Sequence, residues 1–201
     1  MRVAFFVNRF PMLSEQFIVN QMTGLLDRGH ELDIYAALPG DDVRLHPDVQ
    51  SYRLLERTHY RHRHRGRRTR RAVRGIGLAV RHILRDPSQV VPSLNLPVPR
   101  RSAASLDLLF TACALAQSRP YDIAHFHFGQ AGLFGVRLRQ VGALTGKLVT
   151  TFYGTDVSKF LRVHGGEAYT PLIRNGDLFI SITDDMRNRL AGARFPPPRR
   201  R

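Results

Sequence analysis

The run Tyr121-Asp122-Ile123-Ala124-His125-Phe126-His127-Phe128-Gly129 and, after an intervening helical pattern, Leu148-Val149-Thr150-Thr151-Phe152-Tyr153-Gly154-Thr155-Asp156 decide the fold. Each is a short apolar strand that passes into polar residues and then a glycine. Between them, Ala131 to Val141 brings Leu133, Phe134, Leu138 and Val141 to one helical side. Strand, helix, strand is the unit of a parallel sheet. In such a sheet ligands bind beyond the carboxyl ends of the strands. Those ends here carry His125, His127, Gly129, Tyr153, Gly154 and Asp156. Glycine at such a place lets the backbone approach a ligand closely.

The same alternation continues outward. Arg2 to Val7 reads as a buried strand, and Asn8 to Leu13 as a loop containing Pro11. Ser14 is placed to cap the next helix, with Glu15 at its positive end. Phe17, Ile18, Gln21, Met22, Leu25 and Leu26 then share a helical face. Gly29 stops that helix, and Leu32 to Leu38 is a second strand closed by Pro39-Gly40. Val49, Tyr52 and Leu54 suggest a further short strand. Ser102 or Ser105 can cap a helix whose apolar side holds Leu106, Leu109, Phe110, Cys113 and Leu115 to Gln117; Pro120 ends it. Beyond the opening stretch, Ser158 to Arg174 reads as helix in pieces, broken at Gly165-Gly166. Leu178 to Ile182 is another strand, and Thr183 caps a helix with Met186 and Leu190. The expected fold is α/β, a doubly wound parallel sheet with helices on both faces, strands falling near 2–7, 32–38, 123–128, 148–152 and 178–182.

The 201 residues suffice for one ordinary domain, 1–190, followed by a Pro/Arg tail at 191–201. The lone cysteine, Cys113, excludes an internal disulfide and fits a reducing compartment. Val3 to Val7 is too short for a signal-peptide core, and the apolar run after Asp107 is too short to span a bilayer. A cytoplasmic protein is expected, soluble or peripheral on the inner face of the plasma membrane.

The formal charge of +15 is unevenly spread. From Arg53 to Arg74 there are ten arginines and one carboxylate, Glu56, within a basic, partly irregular segment reaching about residue 100. Val73, Ile76, Val80 and Ile83 share a helical face there. Arg67, Arg68, Arg70, Arg71 and Arg74 therefore become candidates for contact with an anionic membrane surface. The alternative is a surface helix packed on its own domain with its arginines solvated. Aromatics are sparse in the run and no RNA-binding signature occurs, so specific nucleic-acid binding is not expected.

Four stretches, taken in order, carry a resemblance. They are Phe5-Phe6-Val7-Asn8-Arg9-Phe10-Pro11 with Ser14-Glu15-Gln16-Phe17-Ile18; His125-Phe126-His127-Phe128-Gly129; Thr150-Thr151-Phe152-Tyr153-Gly154-Thr155-Asp156-Val157-Ser158; and Asn175-Gly176-Asp177 through Asp185-Met186. Together they resemble the N-terminal half of bacterial retaining glycosyltransferases of family 4, of the colanic acid and exopolysaccharide group. The resemblance implies a Rossmann-like, acceptor-side domain of a two-domain GT-B architecture. It implies a nucleotide-sugar donor held mainly by the second domain, a glycan or lipid-linked acceptor, and no metal or other cofactor. On that architecture the chain alone is expected to be inactive; the alternative is a non-catalytic remnant that binds acceptor or membrane.

The resemblance makes His127 the candidate catalytic residue, in contact with the donor sugar. Strand alternation puts His125 and His127 on one side, so the pattern alone does not separate them, and either can equally be a structural histidine near a strand end. Asn8, Arg9, Ser14, His125, Gly129, Tyr153, Gly154 and Asp156 are candidate substrate-binding residues. Asp156 has two readings, a hydrogen-bond acceptor for an acceptor hydroxyl or a helix cap. Many family-4 relatives have a glycine-rich loop after the first strand, whereas no glycine here precedes Gly24, which weakens a phosphate-cradling role. Metal ligation by the two histidines lacks a completing cysteine or carboxylate.

Overall fold

The computed structural model describes residues 1–41, 45–60, 103–192 and 195. Six strands form one sheet: β1 (Arg2–Phe10), β2 (Glu31–Pro39), β3 (Thr58–Tyr60), β4 (Ile123–His127), β5 (Lys147–Phe152) and β6 (Leu178–Ser181). Their spatial order is β3-β2-β1-β4-β5-β6, and every neighbouring pair is parallel. The helices are α1 (Gln16–Leu26), α2 (Pro47–Ser51), α3 (Ala103–Ala116), α4 (Gly129–Gln140), α5 (Thr155–His164), α6 (Thr170–Asn175) and α7 (Asp184–Gly192). The chain winds outward from β1 to β3, then returns to β4 on the other side of β1. The strand order thus reverses between β1 and β4, and that reversal opens a crevice at their carboxyl ends.

Strand alternation divides the core in two. Val3, Phe5 and Val7 of β1, with Ile34 and Ala36 of β2, pack beneath Ile18, Val19 and Met22 of α1. Ala4, Phe6, Ala124, Phe126, Leu148 and Phe152 face the other way, against Leu108, Ala112 and Leu115 of α3 and Val136 and Leu138 of α4. Helix α4 lies unusually close to the sheet. A Cβ on Gly132 would stand 2.6 Å from Thr150 Oγ1, and one on Gly135 2.5 Å from the Phe126 ring. Gly29, at φ +75°, turns the chain out of α1 as expected of a helix stop.

Several expectations need correction. β1 runs on to Phe10, because Phe10 pairs with Pro39 and its carbonyl accepts from Gly40 N at 2.9 Å; Asn8 and Arg9 are strand residues, not loop. Ser14 lies inside a 3-10 turn, Leu13–Glu15, and caps nothing; the residue before α1 is Glu15, without a side-chain cap. Val49 and Leu54 are buried beneath α1, but Val49 lies in α2 and Leu54 in the turn after it. The extra strand is β3, eight residues downstream of where Tyr52 suggested it. The buried side of α3 is Leu108, Ala112 and Leu115 rather than Leu109 and Phe110, since this helix is apolar nearly all round and periodicity could not fix its phase. Thr183 does cap α7, accepting from Met186 N at 3.2 Å. The basic segment, with Arg67, Arg68, Arg70, Arg71, Arg74 and the helical reading of Val73 to Ile83, lies outside the described residues. No helix among the described residues is long and apolar enough to cross a membrane.

Candidate functional site

The carboxyl ends of β4 and β5 are tied together by one side chain. Asp156, the second residue of α5, is fully buried. Its Oδ2 accepts from Gly129 N, the first amide of α4, at 3.0 Å, and its Oδ1 accepts from Gly154 N at 2.8 Å and Tyr153 N at 3.2 Å. A carboxylate therefore sits at the positive ends of two helices at once. Asp156 does not cap its own helix, whose N-cap Gly154 has no side-chain cap; its two oxygens instead accept from the backbone amides of Gly129, Tyr153 and Gly154. Gly154 serves the same joint. Its φ of +133° is open only to glycine and lets β5 turn into α5 with its N–H aimed back at Asp156. Gly129 has no room for a Cβ, which would meet Tyr169 Oη at 2.4 Å. These two glycines and Asp156 fix the shape of the joint between β4, α4, β5 and α5.

On the α1 face, the two histidines lie side by side as alternation requires, ring centroids 4.3 Å apart, both against Phe5. His125 Nε2 lies 2.7 Å from Thr151 Oγ1, and His127 Nδ1 lies 2.7 Å from Tyr153 Oη. Burial lowers the His125 pKa to about 4. Burial, and then the neighbouring His125, hold His127 well below the usual histidine range. Both are neutral at pH 7. His127 is 0% exposed, and Tyr153 stands against its Nδ1. Whichever tautomer it takes, His127 Nε2 has no partner.

Tyr153 is the polar group that reaches the wall. It is half-buried, and its ring meets Phe17 at 4.6 Å and Phe128 at 4.9 Å. Burial raises its phenol to about 12, opposed by the Gln21 and Thr151 side chains and reinforced by the Glu15 and Asp156 charges. It therefore keeps its proton throughout the physiological range. Phe128, read from sequence only as part of the strand and its motif, re-aims the chain between β4 and α4. It holds φ +74°, an uncommon state for a bulky residue, and its N–H is secured by Thr151 O at 2.9 Å.

Toward β1 the crevice is bounded by Asn8 and Ser14, both exposed, and by the first turn of α1. Arg9 is directed to the β2 side, where it pairs with Asp41, and is not free for an anion. Phe17 packs on the Tyr153 ring and the Glu15 charge acts on its phenol; the sequence signal for this wall is the Ser14-Glu15-Gln16-Phe17 motif, where Glu15 reads as a helix-dipole partner. A cavity of about 480 Å³ at the opposite end of the sheet is lined by Asp122, Arg139, Lys147 and Asp177. It is at the wrong end for a ligand of such a sheet, and its charges are spent on each other: Asp177 accepts from Arg139 Nη2 at 2.7 Å, Lys147 Nζ at 3.0 Å and Leu148 N at 2.8 Å. Among the described residues no group of three or more His, Cys, Asp or Glu could hold a metal ion.

Residues 14–201 match the domain described as Glycosyltransferase Family 4. The chain belongs to that family. Among curated relatives of this family-4 chain, the colanic acid biosynthesis glycosyltransferase WcaL of Salmonella typhimurium is 32% identical over 208 residues, covering 98% of the chain and 48% of the relative. WcaL of Escherichia coli is 33% identical over 203 residues, covering 94% and 47%. The amylovoran biosynthesis glycosyltransferase AmsK of Erwinia amylovora is 32% identical over 188 residues, covering 91% and 45%. The chain thus spans about half the length of the curated relatives it matches, and corresponds to the N-terminal half of a family-4 enzyme of the exopolysaccharide group.

Proposed function

We propose that this chain forms the acceptor-side wall of a glycosyltransferase that moves a sugar from a nucleotide-sugar donor onto a glycan or lipid-linked glycan in exopolysaccharide assembly. The observation that carries the reading is the wall at the strand-order reversal: a phenol, Tyr153, braced by buried His127 and flanked by the Phe17 and Phe128 rings. Aromatic faces with a few convergent polar groups suit the C–H faces and hydroxyls of a sugar. His127 acts in this reading as a positioning residue: neutral and desolvated, it holds Tyr153 in one rotamer. The same wall is poor for a diphosphate, because Arg9 is committed to Asp41 while Glu15 and Asp156 are acidic. That supports binding of the donor phosphates elsewhere, and no transfer by this chain by itself. Where retaining chemistry proceeds without an enzyme nucleophile, such a wall contributes orientation and electrostatic stabilisation.

The test is saturation-transfer NMR with oligosaccharides cut from an exopolysaccharide, alongside calorimetry with nucleotide sugars. The expected result is glycan binding that weakens about tenfold in Phe17→Ala, with no heat and no turnover from nucleotide sugars. Nucleotide-sugar binding or turnover by the chain, with no glycan signal, would overturn the proposal.

A further inference from the structure

Just before α1 the fold leaves one half-buried carboxylate, Glu15, unused. Glu15 makes no ion pair and no side-chain hydrogen bond among the described residues, and its carboxyl does not cap α1. Its neighbour Gln16 donates through Nε2 to Asn20 Oδ1 at 3.0 Å, while its buried Oε1 has no partner. The other carboxylates flanking this end of the sheet are spoken for: Asp156 by three backbone amides, Asp41 by Arg9. Glu15 is half-buried, and burial, with no compensating cation, pushes its carboxyl above the usual range. It stands close enough to Tyr153 for its charge to bear on the phenol, and Phe17, two residues on, packs against the same ring. Leaving a polar group half-desolvated and unpaired costs free energy in the unliganded protein. A ligand that supplies donors recovers that cost, and one that brings a second negative charge adds to it.

We propose, resting on the acceptor-side reading above, that Glu15 is the specificity-determining residue of this crevice, its unpaired carboxylate selecting a neutral or ammonium-bearing sugar and excluding a uronate. A half-buried carboxylate acceptor beside the Tyr153 hydroxyl suits a sugar hydroxyl, which both donates and accepts. A uronate carboxylate cannot donate, and at a few ångströms from Glu15 it is repelled in a partly desolvated setting. The selection is thus built by repulsion as much as by attraction.

Three probes that differ in one group decide the matter: methyl glucoside, methyl glucuronide and methyl glucosaminide, titrated into the 201-residue chain and followed by NMR. The expected result is that the glucuronide binds about tenfold more weakly than the glucoside, with the glucosaminide equal to the glucoside or tighter. In Glu15→Gln the glucuronide should come within about twofold of the glucoside, since the amide keeps the shape and adds a donor. Glu56→Gln, which removes an exposed carboxylate remote from the crevice, should leave the discrimination intact. If wild type binds glucoside and glucuronide alike, Glu15 does not select and the inference fails, while the acceptor-side reading stands. If Glu15→Gln keeps the tenfold preference, the inference fails in the same way. If none of the three glycosides shifts a resonance, the acceptor-side reading falls and takes this inference with it. The wild-type ratio is informative without any variant, so poor folding of Glu15→Gln would not rescue the idea.

Discussion

Replacing Asp156 by asparagine separates architecture from ligand binding at the one carboxylate that joins β4, α4, β5 and α5. The wild-type side chain satisfies three buried amides, Gly129 N at 3.0 Å, Gly154 N at 2.8 Å and Tyr153 N at 3.2 Å. Hydrogen bonds to a charged group contribute roughly 1.5–3 kcal/mol each, and the terms are not additive. Asparagine keeps the shape but offers one carbonyl oxygen. With that oxygen toward Gly154 and Tyr153, its amide group faces the Gly129 N–H, donor against donor. One charge-assisted bond is lost outright and two become neutral, and the favourable charge at two helix N-termini disappears. The expected destabilisation is about 3–4 kcal/mol, which for a chain of this size lowers Tm by roughly 6–16 °C. Asp156→Ala should cost at least as much, because it strands all three amides. Thermal and urea melts monitored by circular dichroism give both numbers. A loss below about 1 kcal/mol for Asp156→Asn, or a gain in stability accompanied by loss of glycan binding, would refute the argument; the latter is what a ligand-binding carboxylate would show.

Acid should destabilise the fold well above the carboxylate range. Folded His125 titrates at about 4 and folded His127 is held well below the usual histidine range, whereas both protonate near pH 6.5 once unfolded. The unfolded chain then binds more protons below pH 6.5, so stability is flat above about pH 7 and falls as pH drops toward 4, by up to roughly 1.4 kcal/mol per unit for each histidine. Urea midpoints measured between pH 4.5 and 7.5 should show this slope, and His125→Gln should remove about half of it; a flat wild-type profile would show that the histidines are not held neutral. On the opposite face, Gly135→Ala should cost about 1–3 kcal/mol, because the new methyl would lie 2.5 Å from the Phe126 ring at a helix already seated on β4. A melt unchanged within error would mean that α4 can lift from the sheet without penalty.

What the sequence shows plainly is whatever depends on runs and periods. The five longer strands are apolar enough to stand out, and their alternation with helices leads to the doubly wound order. β3 escapes notice because it is three residues, Thr58–Tyr60, set in a polar run with a single strand partner. Its Tyr60 hydroxyl bonds to Phe10 O at 3.1 Å, a tertiary contact with no local signature. The same holds at the site. The pairing of His125 with His127 follows from strand period, but the burial of His127 follows from Tyr153 and Phe5 arriving from other strands. The positive φ of Phe128 has no marker in a residue type that usually avoids it. Asp156 could be read as cap or ligand because its deciding partner, Gly129, lies 27 residues away.

Two carboxylates at the same end of the sheet illustrate how a site is told from its scaffold. Asp156 and Glu15 both lie at the start of a helix, and both act on the Tyr153 phenol through their charge. From sequence the first reads as either a binding residue or a helix cap, and the second as a helix-dipole partner. The difference lies in satisfaction. Asp156 is wholly buried, yet every lone-pair direction that matters is met by a backbone amide, so its burial is stable without a ligand. Glu15 is less buried but has no donor at all among the described residues, so its environment is completed only by something that enters the crevice. Burial by itself therefore ranks these residues in the wrong order for function. An accessible carboxylate without a donor, as at Glu15, marks what a substrate would supply, whereas the unmet Gln16 Oε1, His127 Nε2 and Thr150 Oγ1 are closed off inside the fold.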